Sequence, residues 1–428
     1  MKRIALLLIL NIFAFGTVAN AQEDLAAKLS KMSGVSEITK LESTYYQEKY
    51  SLLFEQPIDH LDPSKGTFKQ RVVVCNVSME NPTVMVTEGY GAAYAFRAAY
   101  RDEVASLVNG NIVVVEHRYF LESTPENRDW THFNAEQAAN DHHRVFTALK
   151  KIYPAKWIAT GISKGGQTAM IYRAFFPNDV DITIPYVAPL CRGIEDGRHE
   201  PFISNYAGTP EDRKRIEDFQ IEVLKRKPTI LPKIDSLIAQ IGYKYYNLPP
   251  NEVYDYCVLE FPFAFWQMGT PMSSLPALDA SDEDIFNAFI RGSGPDYFVN
   301  ENTTSPFFVQ AAKELGYYGY DTKPFEKYLD IKSADGYLHK IFFTEGMKFE
   351  FNDYLYKKVS KFIATTDAKM IFIYGQFDPW SAVMPDDPGK DNIRFFIQPG
   401  GSHRARISTL PPEMRAEAIW QLMNWLKE

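Results

Sequence analysis

Between residues 111 and 189 the chain alternates short apolar, β-branched runs with stretches of helix length. The runs "NIVVVEHRYF", "KWIATG" and "ITIPYVAP" bracket "NAEQAANDHHRVFTALKKIYP" and "GGQTAMIYRAFFP". In the first helical stretch Ala138, Val145, Ala148 and Leu149 recur at helical spacing, and Pro154 closes it. Strand, helix, strand, helix, strand is the pattern of a parallel sheet with helices on its faces, an α/β fold. Upstream, "YYQEKYSLLFEQPIDH", "TFKQRVVVCNV" and "PTVMVTEGYG" add β-branched or aromatic runs separated by Asp, Pro, Gly and Asn.

The pattern then breaks and returns. From about 195 to 365 it reads as helices and aromatic loops. In "TPEDRKRIEDFQIEVLKRKP", Thr209 is placed to cap, Pro210 stands at the first helical position, and Ile216, Phe219 and Val223 share a face. "SDEDIFNAFIRG" and "SPFFVQAAKELG" are similar. After 365 the strand-like "KMIFIYG" and "IRFFIQPGG" precede a last amphipathic helix, "PEMRAEAIWQLMNWLK". We therefore expect one α/β domain, residues 22–195 and 366–428, interrupted by a helical insertion at 196–365.

The opening "MKRIALLLILNIFAFGTVANAQ" has the charged start, apolar centre and small-residue end of a secretory signal, with cleavage expected after Ala21. Its apolar segment is short for a membrane span, so residues 1–21 are read as a removed signal. The mature chain is expected to be exported, periplasmic or secreted, without stable membrane insertion. At 428 residues, 45 % hydrophobic and 14 % aromatic, it can bury a large core. A formal charge of −8 and the lack of a basic cluster interleaved with aromatics argue against nucleic acid. Three cysteines are too few for a disulfide framework but allow one bridge, for which Cys191 and Cys257 are the candidates; Cys75, inside "RVVVCNV", reads as a buried thiol. The oligomeric state is left open.

"ATGISKGGQTAM" carries the chemistry. Gly161-Ile162-Ser163-Lys164-Gly165 fits G-x-S-x-G, the nucleophile elbow of α/β-hydrolases, and it follows an apolar run and opens a helix as that turn requires. A serine hydroxyl needs an imidazole to take its proton and a carboxylate to orient the imidazole. In this fold the chain order is Ser, then acid, then His. Asp378 in "GQFDPWS" and His403 in "GGSHRAR" occur in that order, each just past a strand-like run. The oxyanion would be met by the backbone N–H of Lys164 and by that of Tyr90 or Gly91 in "TEGYG". His117, Asp141, His142 and His143 read as structural. No H-E-x-x-H or comparable metal spacing, P-loop or dinucleotide fingerprint occurs, so no metal or other cofactor is expected.

"FEQPIDHLDPSKGTFKQRVVV", "VVVEHRYFLESTP", "GISKGG", "QFDPWSA" and "PGGSHRAR" resemble, in order, motifs of exported α/β-hydrolase serine peptidases that cleave after proline. The resemblance is strongest to the bacterial prolyl tri/tetrapeptidyl aminopeptidases, relatives of lysosomal Pro-Xaa carboxypeptidase and dipeptidyl peptidase II, and it runs from about residue 50 to 405. It implies an α/β-hydrolase fold with an inserted helical cap over the site. It also implies Ser163, Asp378 and His403 as nucleophile, acid and base, and release of short N-terminal peptides ending in proline. Substrates would be peptides with a free N-terminus, whose amine needs an acidic partner; Glu88 and Glu314 are the candidates. A rigid apolar slot for proline would draw on Phe263, Phe265 and Trp266, for which core packing is the alternative role. The sequence departs from these relatives in having few cysteines and "TEGYG" in place of an N-E-G form. An esterase or lipase with the same triad, or an inactive hydrolase fold that binds peptides or glycans, are the competing readings.

Overall fold

A single nine-stranded sheet organises the computed structural model, which describes residues 24–300 and 305–428. Its strands are β1 Val35–Lys40, β2 Glu48–Pro57, β3 Thr67–Asn76, β4 Thr83–Thr87, β5 Asn111–Val115, β6 Trp157–Ile162, β7 Ile182–Tyr186, β8 Lys369–Gly375 and β9 Ile393–Gln398. They lie in the order β1-β2-β3-β5-β4-β6-β7-β8-β9. The neighbours from β5 to β9 pair in parallel. β4, β5 and β7 are buried at every position, because helices cover both sides of a parallel sheet.

The three strands at the β1 edge are antiparallel, as is the β3–β5 pair. Pro57 pairs with Thr67, leaving only residues 58–66 to connect β2 with β3. That is too short for a crossover, which needs a dozen residues or more. β1, from "VSEITK", carries no buried position and had no sequence signal.

One face of the sheet packs on the helices Ala135–Leu149 and Lys164–Phe175, through Val72, Val74, Met85 and Val113. The opposite face, through Val73, Val84, Ile112 and Ile158, packs on Glu103–Val108 and Pro412–Lys427. Alternate residues of one strand thus serve two cores.

Between β7 and β8 the chain forms helices that include His199–Asn205, Pro210–Lys225, Lys227–Ile241, Pro250–Met268, Asp282–Gly292 and Tyr354–Thr365. Thr209 Oγ1 accepts the Asp212 N–H at 3.1 Å while Asp212 returns a bond to the Thr209 N–H, a reciprocal cap with Pro210 at the first helical position. Phe219, Phe261 and Phe289 of these helices share one apolar cluster with Met370 and Phe372 of β8, Met170 of Lys164–Phe175 and Leu190 past the end of β7. Tyr354–Thr365 lies against Lys164–Phe175, with Lys358 Nζ 4.3 Å from the centre of the Phe175 ring.

Cys75, Cys191 and Cys257 are all free and buried, which corrects the expected Cys191–Cys257 bridge. Cys191 borders the Ser163 elbow, whereas Cys257 is enclosed within Pro250–Met268 and has Asp296 and Glu260 nearby. The expected signal, residues 1–21, lies outside the described residues. Among the described residues no helix is long and apolar enough to cross a membrane.

Candidate active site

The strand order fixes where a site can form. β4 has β5 on one side and β6 on the other, so the chain leaves β4 and β6 in opposite directions across the sheet, and a crevice opens past their carboxyl ends. The segment 88–91 follows β4, and Ser163 follows β6.

Ser163 has φ 58° and ψ −122°, a left-handed conformation that a side chain rarely adopts. Its N–H is held by the Tyr186 carbonyl at 2.9 Å, and its own carbonyl accepts the Gln167 N–H at 2.8 Å. Its side chain makes no bond to the helix it begins. The turn closes only because Gly161 lacks a side chain: a Cβ there would strike the Gly165 carbonyl and come within 2.7 Å of Thr87 O.

Asp378 and His403 come from the ends of β8 and β9, at the same sheet edge. Asp378, fully buried, receives His403 Nδ1 at 2.6 Å on Oδ2 and the Trp380 N–H at 3.2 Å on Oδ1. The His403 N–H donates to Gln267 O at 3.0 Å, which ties its loop to the helix Pro250–Met268. His403 Nε2 is buried and has no partner among the described residues. Trp380, anchored on Asp378, borders the same narrow chamber as Ser163, Tyr90 and Lys164. Ser163 and Trp380, 217 positions apart in sequence, thereby border one small space.

The 88–92 segment is held from below. The Ala92 N–H donates to Glu116 Oε2 at 2.8 Å, and the Tyr90 carbonyl accepts the His117 N–H at 3.1 Å. The Tyr90 ring packs on Phe120 and Phe307. The Ala92 donor is engaged, whereas among the described residues no backbone bond takes the N–H groups of Tyr90 and Gly91 or that of Lys164 in the first turn of its helix.

The two candidate amine anchors are engaged elsewhere. Glu88 accepts the Tyr94 hydroxyl, and burial raises its carboxyl to about 7. Glu314 accepts the Ala135 N–H at 2.6 Å and the Gln310 amide at 3.1 Å, serving the first turn of Ala135–Leu149; burial raises it to about 6. Neither borders the Ser163 chamber.

The aromatic candidates divide. Phe263 stacks on Tyr318 at 3.7 Å and meets Trp380 edge-on at 5.2 Å. Trp266 packs on Phe377, beside Asp378. Both also line a cavity of about 320 Å³ among the inserted helices. Phe265 is fully buried between Phe261 and Trp266 and does not line that cavity, which suits a core-packing role.

Several features escaped sequence reading. Lys164 is 3 % exposed, and loss of hydration lowers its ammonium to about 7. A cation at the first position of a helix opposes the helix dipole, which is the signal that was available. Glu260, also buried, accepts the hydroxyls of Tyr318 at 2.9 Å and Tyr320 at 2.8 Å, and burial raises it to about 7. His117, Asp141, His142 and His143 are each hydrogen-bonded within the scaffold: Asp141 takes Arg118 and His60, and His143 takes Asp179. Among the described residues no group of three or more His, Cys, Asp or Glu could hold a metal ion.

A mostly parallel sheet with helices on both faces and a strained serine turn at its switch point is the architecture of an α/β-hydrolase. Within that class the assignment is narrower: the family model of the PS-10 peptidase S37 matches residues 19–427, and the chain belongs to that family of peptidases. It is 30 % identical to the prolyl tri/tetrapeptidyl aminopeptidase of Streptomyces mobaraensis, over 96 % of this chain and 86 % of that one. The lysosomal Pro-X carboxypeptidase of Mus musculus is 31 % identical over 33 % of each chain. Among solved structures, a proline iminopeptidase from Mycobacterium smegmatis aligns with a TM-score of 0.41 at 14 % identity, over 87 % of this chain and 98 % of that one.

Proposed function

We propose that this peptidase is an exported serine exopeptidase that releases tri- and tetrapeptides from free N-termini by cleavage after proline. The observation that carries the reading is the Asp378–His403 bond of 2.6 Å, with the far imidazole nitrogen buried and without a partner among the described residues, at the sheet edge where Ser163 is held in a strained turn.

The chemistry follows. Ser163 Oγ attacks the proline carbonyl carbon and its proton passes to His403 Nε2, while Asp378 keeps Nδ1 protonated and stabilises the imidazolium. The carbonyl oxygen becomes an oxyanion facing the Lys164 N–H and an N–H of the 89–91 segment. The C–N bond breaks, the leaving amine takes the proton from His403, and the peptide remains as an ester on Ser163. Water, deprotonated by His403, then cleaves that ester. No cofactor enters any step.

A tripeptidyl group places its ammonium about 10 Å from the scissile carbonyl, at about 3.3–3.6 Å per extended residue. The 320 Å³ cavity supports this reach. Phe263 on its wall touches Trp380, which borders Ser163. Glu200 lines the same cavity with a buried Oε2 that has no partner among the described residues. Its cationic neighbours are engaged elsewhere, Arg213 by the carbonyls of Ala207 and Gly208 and Lys214 by Asp218. Glu200 therefore suits the substrate ammonium better than Glu88 or Glu314. The helical insertion, resting on the loops of Asp378 and His403, would act as the cap.

The test is a matched set of fluorogenic peptides with purified mature protein: Ala-Ala-Pro with a free amine, its acetylated form, an Ala-for-Pro form, and a butyrate ester. Cleavage of the free-amine Pro peptide alone, lost in Ser163→Ala, is expected. Ester turnover without peptide turnover would overturn the substrate assignment. N-terminal sequencing of the exported protein should begin at Gln22.

A further inference from the structure

The residue after the nucleophile has its side chain buried, and what that side chain touches is unusual. Lys164 Nζ donates to the Gly89 carbonyl at 2.6 Å and sits 5.5 Å from the centre of the Tyr90 ring and 5.2 Å from that of Phe120. The approach is close along the whole stem. A Cβ on Gly89 would come within 2.6 Å of Lys164 Cβ and Cγ, so the segment after β4 can lie on Lys164 only because residue 89 has no side chain.

The carbonyl that Lys164 holds belongs to a peptide unit whose other half is the Tyr90 N–H. A trans peptide is planar, with its C=O and N–H pointing in opposite directions, and no cis peptide bond occurs among the described residues. Fixing the Gly89 oxygen therefore fixes the direction of the Tyr90 N–H. The next peptide unit is fixed separately, by the His117 N–H on the Tyr90 carbonyl.

We propose that Lys164 serves the oxyanion twice: its backbone N–H is one donor, and its side chain, by clamping the Gly89 carbonyl, aims the Tyr90 N–H as the second. This makes the Lys164 side chain a positioning residue for the Tyr90 N–H. The inference rests on Ser163 being the nucleophile. A rigid clamp suits the task, because oxyanion donors are effective when they are held in place before charge develops. The aromatic faces of Tyr90 and Phe120 hold the Nζ in place while the carbonyl accepts a hydrogen bond from it.

Lys164→Met keeps most of the side chain's length and the backbone donor but removes the clamp. With the Ala-Ala-Pro substrate it should lower kcat by about 10–100-fold, somewhat less than outright loss of an oxyanion donor, while KM changes by less than about threefold. Binding of a tripeptide aldehyde ending in proline, whose adduct with the serine carries the tetrahedral oxygen, should weaken by the same factor as kcat/KM falls. Gly89→Ala, which leaves the lysine in place but pushes the segment away, should give the same pattern. Both variants are compared at equal melting behaviour, and the aldehyde readout separates positioning from loose folding. Lys164→Met with kcat within threefold of the parent, or a rise in KM that carries the whole loss, would overturn the proposal. Activity surviving in Ser163→Ala would instead overturn the nucleophile reading on which it rests.

Discussion

Asp141→Ala should be among the most damaging single substitutions outside the site. Arg118 and Asp141 are both fully buried. Asp141 Oδ2 accepts Arg118 Nε at 2.6 Å, and its Oδ1 accepts Nη2 at 2.7 Å and pairs with His60 Nε2 at 2.7 Å. The remaining guanidinium protons go to carbonyls of Ile58, His132 and Pro57. Carbonyls solvate the guanidinium but do not neutralise it, so removing the carboxylate leaves a buried cation. Breaking a buried pair in this way costs about 3–5 kcal/mol, a large share of the roughly 5–15 kcal/mol that separates most folded domains from the unfolded chain. Urea unfolding of the parent and the variant measures it. The exposed Lys214–Asp218 pair is the control: Asp218→Ala should change stability by no more than about 0.5 kcal/mol. Activity should fall as well, because Arg118 precedes the Phe120 ring that supports Tyr90. A loss under about 1 kcal/mol for Asp141→Ala would refute the reasoning, since it would mean that water or another group replaces the carboxylate.

Two further outcomes test the cap. Glu200→Gln should raise KM for the free-amine peptide by about 10–100-fold, the worth of one hydrogen bond to a charged group, and leave the acetylated peptide unaffected; unchanged discrimination between the two would remove Glu200 from the role. Glu260 has a folded pKa raised to about 7 by burial, so between pH about 4.5 and 7 the folded chain keeps a proton that the unfolded chain has released. Stability should therefore fall as pH rises through that window, by at most about 3 kcal/mol from this group. Glu260→Gln, which still accepts the Tyr318 and Tyr320 hydroxyls, should flatten that fall in a series of urea midpoints; an unaltered slope would contradict it.

What the sequence carried was local. The serine turn is legible because a side chain at residue 161 collides with atoms four positions away, a constraint that any reader of G-x-S-x-G can apply. Thr209 and Asp212 cap one helix across three residues, and the runs that became β4 to β9 announced themselves by apolar length alone. Asp378 and His403 stood out because strand ends at one sheet edge are where an α/β fold places chemistry. The tertiary structure decided which partner each polar group takes. Glu314 serves a helix that begins 179 residues earlier, Glu88 meets Tyr94, and Glu260 is enclosed by tyrosines 58 and 60 residues away. Lys164 turns inward to Gly89, and Cys191 and Cys257 stay apart. Periodicity and backbone sterics act within a few residues and are written in order along the chain. A buried charge instead takes whatever donor or acceptor the packed core brings within reach, and only the closed fold specifies that neighbour.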